Sequence, residues 1–261
     1  MEKLRIFLAD WQVLFREGIH FILSGEEDME VVGEDTTNEQ ALAFIETNPP
    51  QVAIFNAEPY KLSGVEVTRR VKQNLPEVAI ILIMDSYNEE LLFSAMKSGA
   101  SACLTKDIDP EDMVNAIRKA AEGEHTIVEA LFRPEIASRV INDFEVLSSV
   151  EEQVGSLLAH LTSPEADILR QIADGNSKEQ VADKLSLSEK DISHKLKSAL
   201  RKLVANDHKQ MLIEAAQSGL PPFSRVSFPG RPTVEYITRE EFAAFKESLK
   251  ERFKSLSGEI G

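Results

Sequence analysis

Cysteine is almost absent from this chain: Cys103 is the single one in 261 residues. One thiol cannot close an internal disulfide, which excludes a disulfide-stapled secreted fold and predicts a reducing cytoplasm. Long apolar runs are missing as well. None approaches the roughly 18–20 residues needed to span a bilayer, so no membrane partner is expected. Met1-Glu2-Lys3-Leu4-Arg5 leads straight into a strand-like run, without the basic and then apolar regions of a signal peptide. The sequence also lacks a metal-ligand cluster, a phosphate-cradling glycine loop and a nucleophile–base pair. No catalytic residue, resident metal or cofactor is expected, and the chain does not read as an enzyme.

Positive charge is in short supply, with a formal net charge of −15. Its distribution is uneven. Residues 1–124 carry −12, residues 125–162 carry −4, residues 163–212 carry +1 and residues 213–261 are neutral. The acidity belongs to the first half, which predicts two units with different tasks.

What the first half does have is regular alternation. Apolar β-rich runs recur at Leu4–Ala9, Met29–Val32, Val52–Phe55, Val78–Ile83 and Ala102–Leu104. The third and fourth are almost wholly apolar, as in strands buried on both faces of a parallel sheet. Segments of helical period lie between them, such as Val65, Val67, Val71 and Leu75 before Pro76. Asp109-Pro110 is a strong helix start. The spacing predicts a doubly wound α/β sheet of five parallel strands, with its site at the carboxyl ends of the strands.

Leu8-Ala9-Asp10, Arg16-Glu17-Gly18, Pro59, Gly64, Gly99-Ala100-Ser101-Ala102 and Leu104-Thr105-Lys106-Asp107 occur in order over residues 3–123. As a set they resemble the receiver domain of two-component response regulators, a flavodoxin-like fold. The resemblance implies a pair of acidic residues after the first strand that hold magnesium and an aspartate after the third that accepts phosphate. It also implies a Thr or Ser after the fourth strand and a lysine after the fifth. Here that set is broken. Asp10 is followed by Trp11, the acceptor position is Asn56, the hydroxyl position is Met84, and Lys106 alone is as expected. Pro59 stands one residue closer to Asn56 than the family spacing.

An amide is no substitute for the carboxylate nucleophile of an acyl phosphate, and magnesium prefers carboxylate oxygens. The expectation is therefore an atypical receiver without phosphotransfer. Two readings of the remnant stay open: Asp10 and Lys106 pair as a buried leftover, or Trp11 and Met84 wall a small-ligand pocket. Cys103 reads as a core residue, with a redox sensor as the alternative.

Residues 125–160 read as a helical linker. An amphipathic helix begins at Pro134, carries Ile136, Val140, Ile141, Phe144 and Leu147, and gives way to the polar stretch Ser148–Glu152. It covers its own domain or a second chain. Residues 161–212 then contain Thr162-Ser163-Pro164-Glu165, a helix start, with Ile168, Leu169 and Ile172 at helical spacing before Gly175. A second helix over Lys178–Leu185 and the turn Ser186-Leu187-Ser188 lead to a third carrying Ile192, Leu196, Ala199, Leu200 and Leu203. Two short helices joined by such a turn are the helix-turn-helix unit.

The run Leu161-Thr162, Ala173-Asp174-Gly175, Ser177-Lys178-Glu179, Val181-Ala182, Leu187-Ser188, Ile192 and Arg201-Lys202-Leu203 resembles the small all-α DNA-binding domain of LuxR/NarL-class regulators. Double-stranded DNA is the expected partner and a homodimer the expected form. Lys190, Lys195, Lys197, Arg201 and Lys202 are candidate phosphate contacts, while Ser193 and His194 are candidates for base edges. Asp191 stands where Thr is usual in that family and would repel phosphate unless it caps the helix.

Residues 213–261 form a C-terminal extension matching nothing recognised. Val226–Phe228 and Val234–Ile237 predict a hairpin across Pro229–Pro232. Thr238–Glu241 predicts a helix start, and Phe242, Phe245, Leu249 and Phe253 form an apolar stripe for self-packing, dimerisation or a protein partner. The leading expectation is a DNA-binding transcription regulator working without aspartyl phosphorylation. The alternative is a protein-interaction adapter that has lost DNA binding, which the low charge of residues 163–212 favours.

Overall fold

The structure is a computed structural model and describes residues 3–58, 62–154 and 158–217, with side chains described to Met211 except for residues 148–157. The first 123 residues alternate strands and helices: β1 (Leu4–Ala9), α1 (Val13–Ser24), β2 (Met29–Asp35), α2 (Asn38–Thr47), β3 (Val52–Asn56), α3 (Gly64–Asn74), β4 (Ala79–Met84), α4 (Glu89–Ser98), β5 (Ala102–Thr105) and α5 (Pro110–Ala121). The sheet is fully parallel in the order β2-β1-β3-β4-β5. Every residue of β3 and β4 is buried, which is why these two read as unbroken apolar runs.

The period-two alternation of the strands divides two apolar layers. Phe7, Ala53, Phe55, Ile80, Leu82 and Met84 face α2, α3 and α4. Ile6, Leu8, Val52, Ile54, Ile81 and Ile83 face α1 and α5, where Ile19, Leu23, Met113 and Ile117 meet them. The chain passes from β1 outward to β2 and then back across to β3, so the strand order reverses between β1 and β3. In open α/β sheets the crevice at that point is the usual site. Asp10 and Asn56 stand at its two sides.

Local chemistry fixes the helix starts. Ser63, Asn88 and Asp109 cap α3, α4 and α5 by accepting backbone N–H bonds. At Gly64 a Cβ would collide with the Asn56 carbonyl, so only glycine lets α3 begin against the end of β3.

A 3-10 turn over Thr126–Phe132, which periodicity did not foresee, leads into α6 (Pro134–Val154). The helix runs through the polar stretch 148–152, which the sequence had placed beyond its end. Helices α7 (Ser163–Ala173), α8 (Lys178–Leu185) and α9 (Glu189–Gln217) follow. The expected α8 bounds hold, and Gly175 adopts the left-handed conformation (φ 84°) that ends α7.

The apolar layer over α2–α4 does not stop at the first domain. It continues through Ile127, Val128 and Leu131, then Ile136, Val140 and Phe144 of α6, to Ile168, Ile172, Val181, Ile192, Leu196 and Leu203. The described chain up to Gln210 is accordingly one compact unit. Polar contacts clamp the first unit. Arg69 of α3 forks onto Asp207 of α9 at 2.7 and 3.2 Å, and Lys97 of α4 reaches Asp143 of α6 at 2.8 Å. The hairpin and amphipathic helix expected within residues 213–261 lie outside the described residues.

Candidate functional site

Two regions matter, and the first is the carboxyl edge of the sheet. Asp10 follows β1, Asn56 ends β3, and Lys106 follows β5, so the topology brings together three residues distant in sequence. The Lys106 ammonium lies 3.3 Å from Asp10 Oδ2, the expected leftover pair. A closer partner was missed: Asp85 Oδ1, at 2.6 Å. Asp85 directly follows Met84 at the end of β4, so its place on this edge was readable from the strand pattern.

Asn56 is only 2% exposed and both ends of its amide are engaged. Its Nδ2 donates to Asp10 at 3.0 Å and, more weakly, to Asp85 at 3.5 Å, while its Oδ1 accepts from Glu58 N–H at 2.8 Å. Asp10 Oδ1 accepts the Gln12 N–H at 2.7 Å. The site thus holds two carboxylates, one ammonium and one amide. An aspartate at position 56 would set a third carboxylate against the same lysine, a like-charge arrangement that the amide relieves.

The alternative with Trp11 and Met84 as pocket walls meets a correction. Met84 turns into the core on the α2–α4 side and lines neither of the two hollows next to Asn56. Each hollow measures about 10 Å³, room for about one water. Trp11 borders one of them, half-exposed, with the Lys106 ammonium 5.8 Å from its ring. Cys103 is partly buried, and burial followed by the nearby Glu58 charge pushes its thiol up to about 12. That direction disfavours the thiolate on which a redox sensor relies.

The second region is the helix-turn-helix. Ser177 accepts the Gln180 N–H and Gln180 returns a bond to the Ser177 N–H, fixing the start of α8. Ser186 takes the left-handed conformation in the turn (φ 54°). Asp191 does cap the helix: its Oδ2 accepts from the Ser188 N–H and hydroxyl, and Ser188 Oγ accepts the Asp191 N–H. Those bonds to Ser188 hold the Asp191 carboxyl below its usual range. Its negative charge belongs to the helix start, where it also favours the helix dipole.

Of the expected DNA contacts, Lys190, His194, Lys197 and Arg201 are exposed along α9, and Ser193 and Lys195 are half-buried beside them. Lys202 is the exception. Its ammonium lies 2.6 Å from Glu165 at the start of α7, and it holds the domain together rather than facing solvent. Glu165 is 4% exposed. Burial raises its carboxyl, but the bonds from Lys202, the Thr162 N–H and the Ser198 hydroxyl outweigh burial and leave it below the usual range.

No described helix is long and apolar enough to cross a membrane. Burial lowers the pKa of His125, and the charges of Lys72, Lys197 and Arg201 add to that against an opposing bond with the Ala100 backbone.

Comparison with known proteins agrees with both halves. Residues 6–118 match the response regulator receiver domain, and residues 159–215 match the bacterial regulatory proteins of the luxR family. The chain is 30% identical over 219 residues to the uncharacterized transcriptional regulatory protein YxjL of Bacillus subtilis, covering 84% of this chain and 98% of that one. It is 28% identical over 228 residues to the transcriptional regulatory protein DegU of Brevibacillus brevis, covering 83% and 94%. The signal receiver domain of the NarL regulator from Mycobacterium tuberculosis superimposes with a TM-score of 0.46 at 29% identity, over 48% of this chain and all of that one. Residues beyond the luxR-family match belong to neither model. With the parallel α/β half, the three-helix unit and near-full-length relatives in agreement, the chain belongs to the LuxR/NarL family of response regulators, transcriptional regulators that join a receiver to a helix-turn-helix domain.

Proposed function

We propose that this regulator binds double-stranded DNA through α8 and α9, as a dimer, and does so without aspartyl phosphorylation. The observation that carries the reading is the state of Asn56. Its NH2 group points at two carboxylates and its oxygen at a backbone N–H, a pattern an aspartate would not satisfy. The acceptor position is thus chemically committed to an amide and surrounded by groups that fit one. On the other face, Lys190, Lys197 and Arg201 supply cations for phosphate contacts, and His194 is placed one turn into α9, where base edges are read. Lys202 is left out of this set because of Glu165.

The test is capture of sheared genomic DNA by the full chain, sequenced, with Lys197→Glu/Arg201→Glu as the control. Enrichment of an inverted repeat, lost in the control, is expected. A site enriched only after treatment with acetyl phosphate and magnesium overturns the phosphorylation-independent part. No enrichment at low salt, where phosphate contacts are strongest, favours the adapter reading, which the +1 charge of residues 163–212 supports.

A further inference from the structure

Asp85 is the acidic residue at the receiver edge that neither the family pattern nor the remnant pair accounts for. Three side chains from three elements converge on its carboxylate: the Lys106 ammonium after β5 ion-pairs with it at 2.6 Å, while the amides of Asn56 at the end of β3 and Gln12 before α1 each donate to it at 3.5 Å. Asp10, its neighbour, is satisfied from other directions by the Gln12 N–H and Asn56 Nδ2. Lys106 is the cation that meets both carboxylates, and its shorter contact of the two is to Asp85. The Asp85 side chain is 39% exposed, so it enters the site from the solvent side, as an added anion would.

The loop that carries Asp85 continues into the rest of the molecule. Two residues on, the Tyr87 ring lies 4.6 Å from the guanidinium carbon of Arg133, at the entrance to α6. Asn88 caps α4, and Arg139 of α6 ion-pairs with Glu89 and Glu90 of α4. Arg139 also lies over Phe93, 4.7 Å from its ring. Helix α6 in turn packs on α7 through the common apolar core.

We infer that Asp85 is a tethered anionic occupant of the degenerate receiver site: it takes the Lys106 charge that a small oxyanion would otherwise engage, and so holds the β4–α4 loop against the linker helix through Tyr87 and Arg133. The inference rests on the phosphorylation-independent reading of Asn56. Electrostatics gives it direction. Asp10 and Asp85 set two carboxylates around the Lys106 ammonium, which disfavours a further anion beside it. Without Asp85 a single carboxylate faces that ammonium, and an anion there meets less repulsion.

The experiment uses the full chain, wild type against Asp85→Ala and Asp85→Asn, with inorganic phosphate as the probe. Phosphate binding is followed by NMR shifts of the Asn56 side-chain amide and nearby backbone amides, and amide hydrogen exchange is measured over residues 85–90 and 133–140. Both variants should bind phosphate about tenfold or more tighter than wild type, the effect of removing one close charge. Adding Lys106→Ala should abolish that gain. Exchange in the two segments should rise in both variants, and Tyr87→Ala should raise it over 133–140 without any gain in phosphate binding.

Equal phosphate affinity in wild type and both variants, or unchanged exchange over 133–140, overturns the inference. Incorporation of phosphate from acetyl phosphate into wild type that is lost in Asp85→Asn also overturns it, since Asp85 would then be an acceptor. Incorporation that persists in that variant instead strikes at the reading of Asn56 itself. Circular dichroism of each variant separates these outcomes from a failure to fold.

Discussion

A lysine paired with acid occurs in both halves of the molecule, and the two pairs behave differently. In the helix-turn-helix, Lys202 meets Glu165, which is nearly inaccessible and holds α7 to α9. At the receiver edge, Lys106 meets two carboxylates, one buried and bonded elsewhere, the other reaching in from solvent. The first pair is a structural tie whose loss strands a charge. The second is one ammonium shared between two carboxylates. In each case the sequence displays the lysine plainly. What it does depends on which acid reaches it, and that acid sits far away in the chain.

The largest effect expected concerns the frame behind the receiver pair. Gly64→Ala sets a methyl group against the Asn56 carbonyl, which neither β3 nor α3 can yield without moving. A loss of about 3 kcal/mol is expected by denaturant titration, with the Asn56 amide signal displaced. Next comes the comparison itself. Lys202→Ala leaves Glu165 buried without its cation and should cost about 2 kcal/mol. Lys106→Ala should cost about 1 kcal/mol or less, because Asp85 turns to water and Asp10 keeps its bonds from Gln12 and Asn56. Equal losses would erase the distinction drawn between the pairs. Lys202→Ala should also leave the salt dependence of DNA binding unchanged, unlike Lys197→Ala.

The smallest effect is acidic. Asp191 is held below its ordinary value of 3.8 by the Ser188 bonds. A depressed folded-state value means the stabilisation is complete above that ordinary value and fades as pH falls through the folded one. The difference in thermal midpoint between wild type and Asp191→Asn should therefore stay constant down to about pH 3.8 and shrink on further acidification. A difference that grows on acidification would contradict the capping role.

Much of this architecture was legible. The five strands, α8 to the residue, and the helix starts at Asp109, Ser163 and Pro134 followed from periodicity and capping residues, because these signals are local. The amide at the end of β3, Asn56, was equally plain. What escaped were the long-range partners. Asp85 looked like one loop acid among many; its position just past an all-apolar strand at the sheet's carboxyl edge was the available clue. Lys202 shared a helix with true surface cations and differed only in facing α7. The alternative that made Met84 a pocket wall failed because an unbranched apolar side chain at the end of a buried strand turns to the core. The 3-10 turn at Thr126–Phe132 has no periodic signature to detect.

The apolar layer that runs from β4 through α6 to Leu203 bears on how this architecture is inherited. Family kinship invites the view that receiver and DNA-binding unit are interchangeable modules, free to be recombined at the linker. Here the seam falls within a shared interior. A chimera cut near residue 125 would strip Ile127, Leu131, Ile136 and Val140 from one of their two neighbours and offer that face to solvent or to another chain. Exchange of either half would demand matched substitutions in α6, so the two units are constrained to change together.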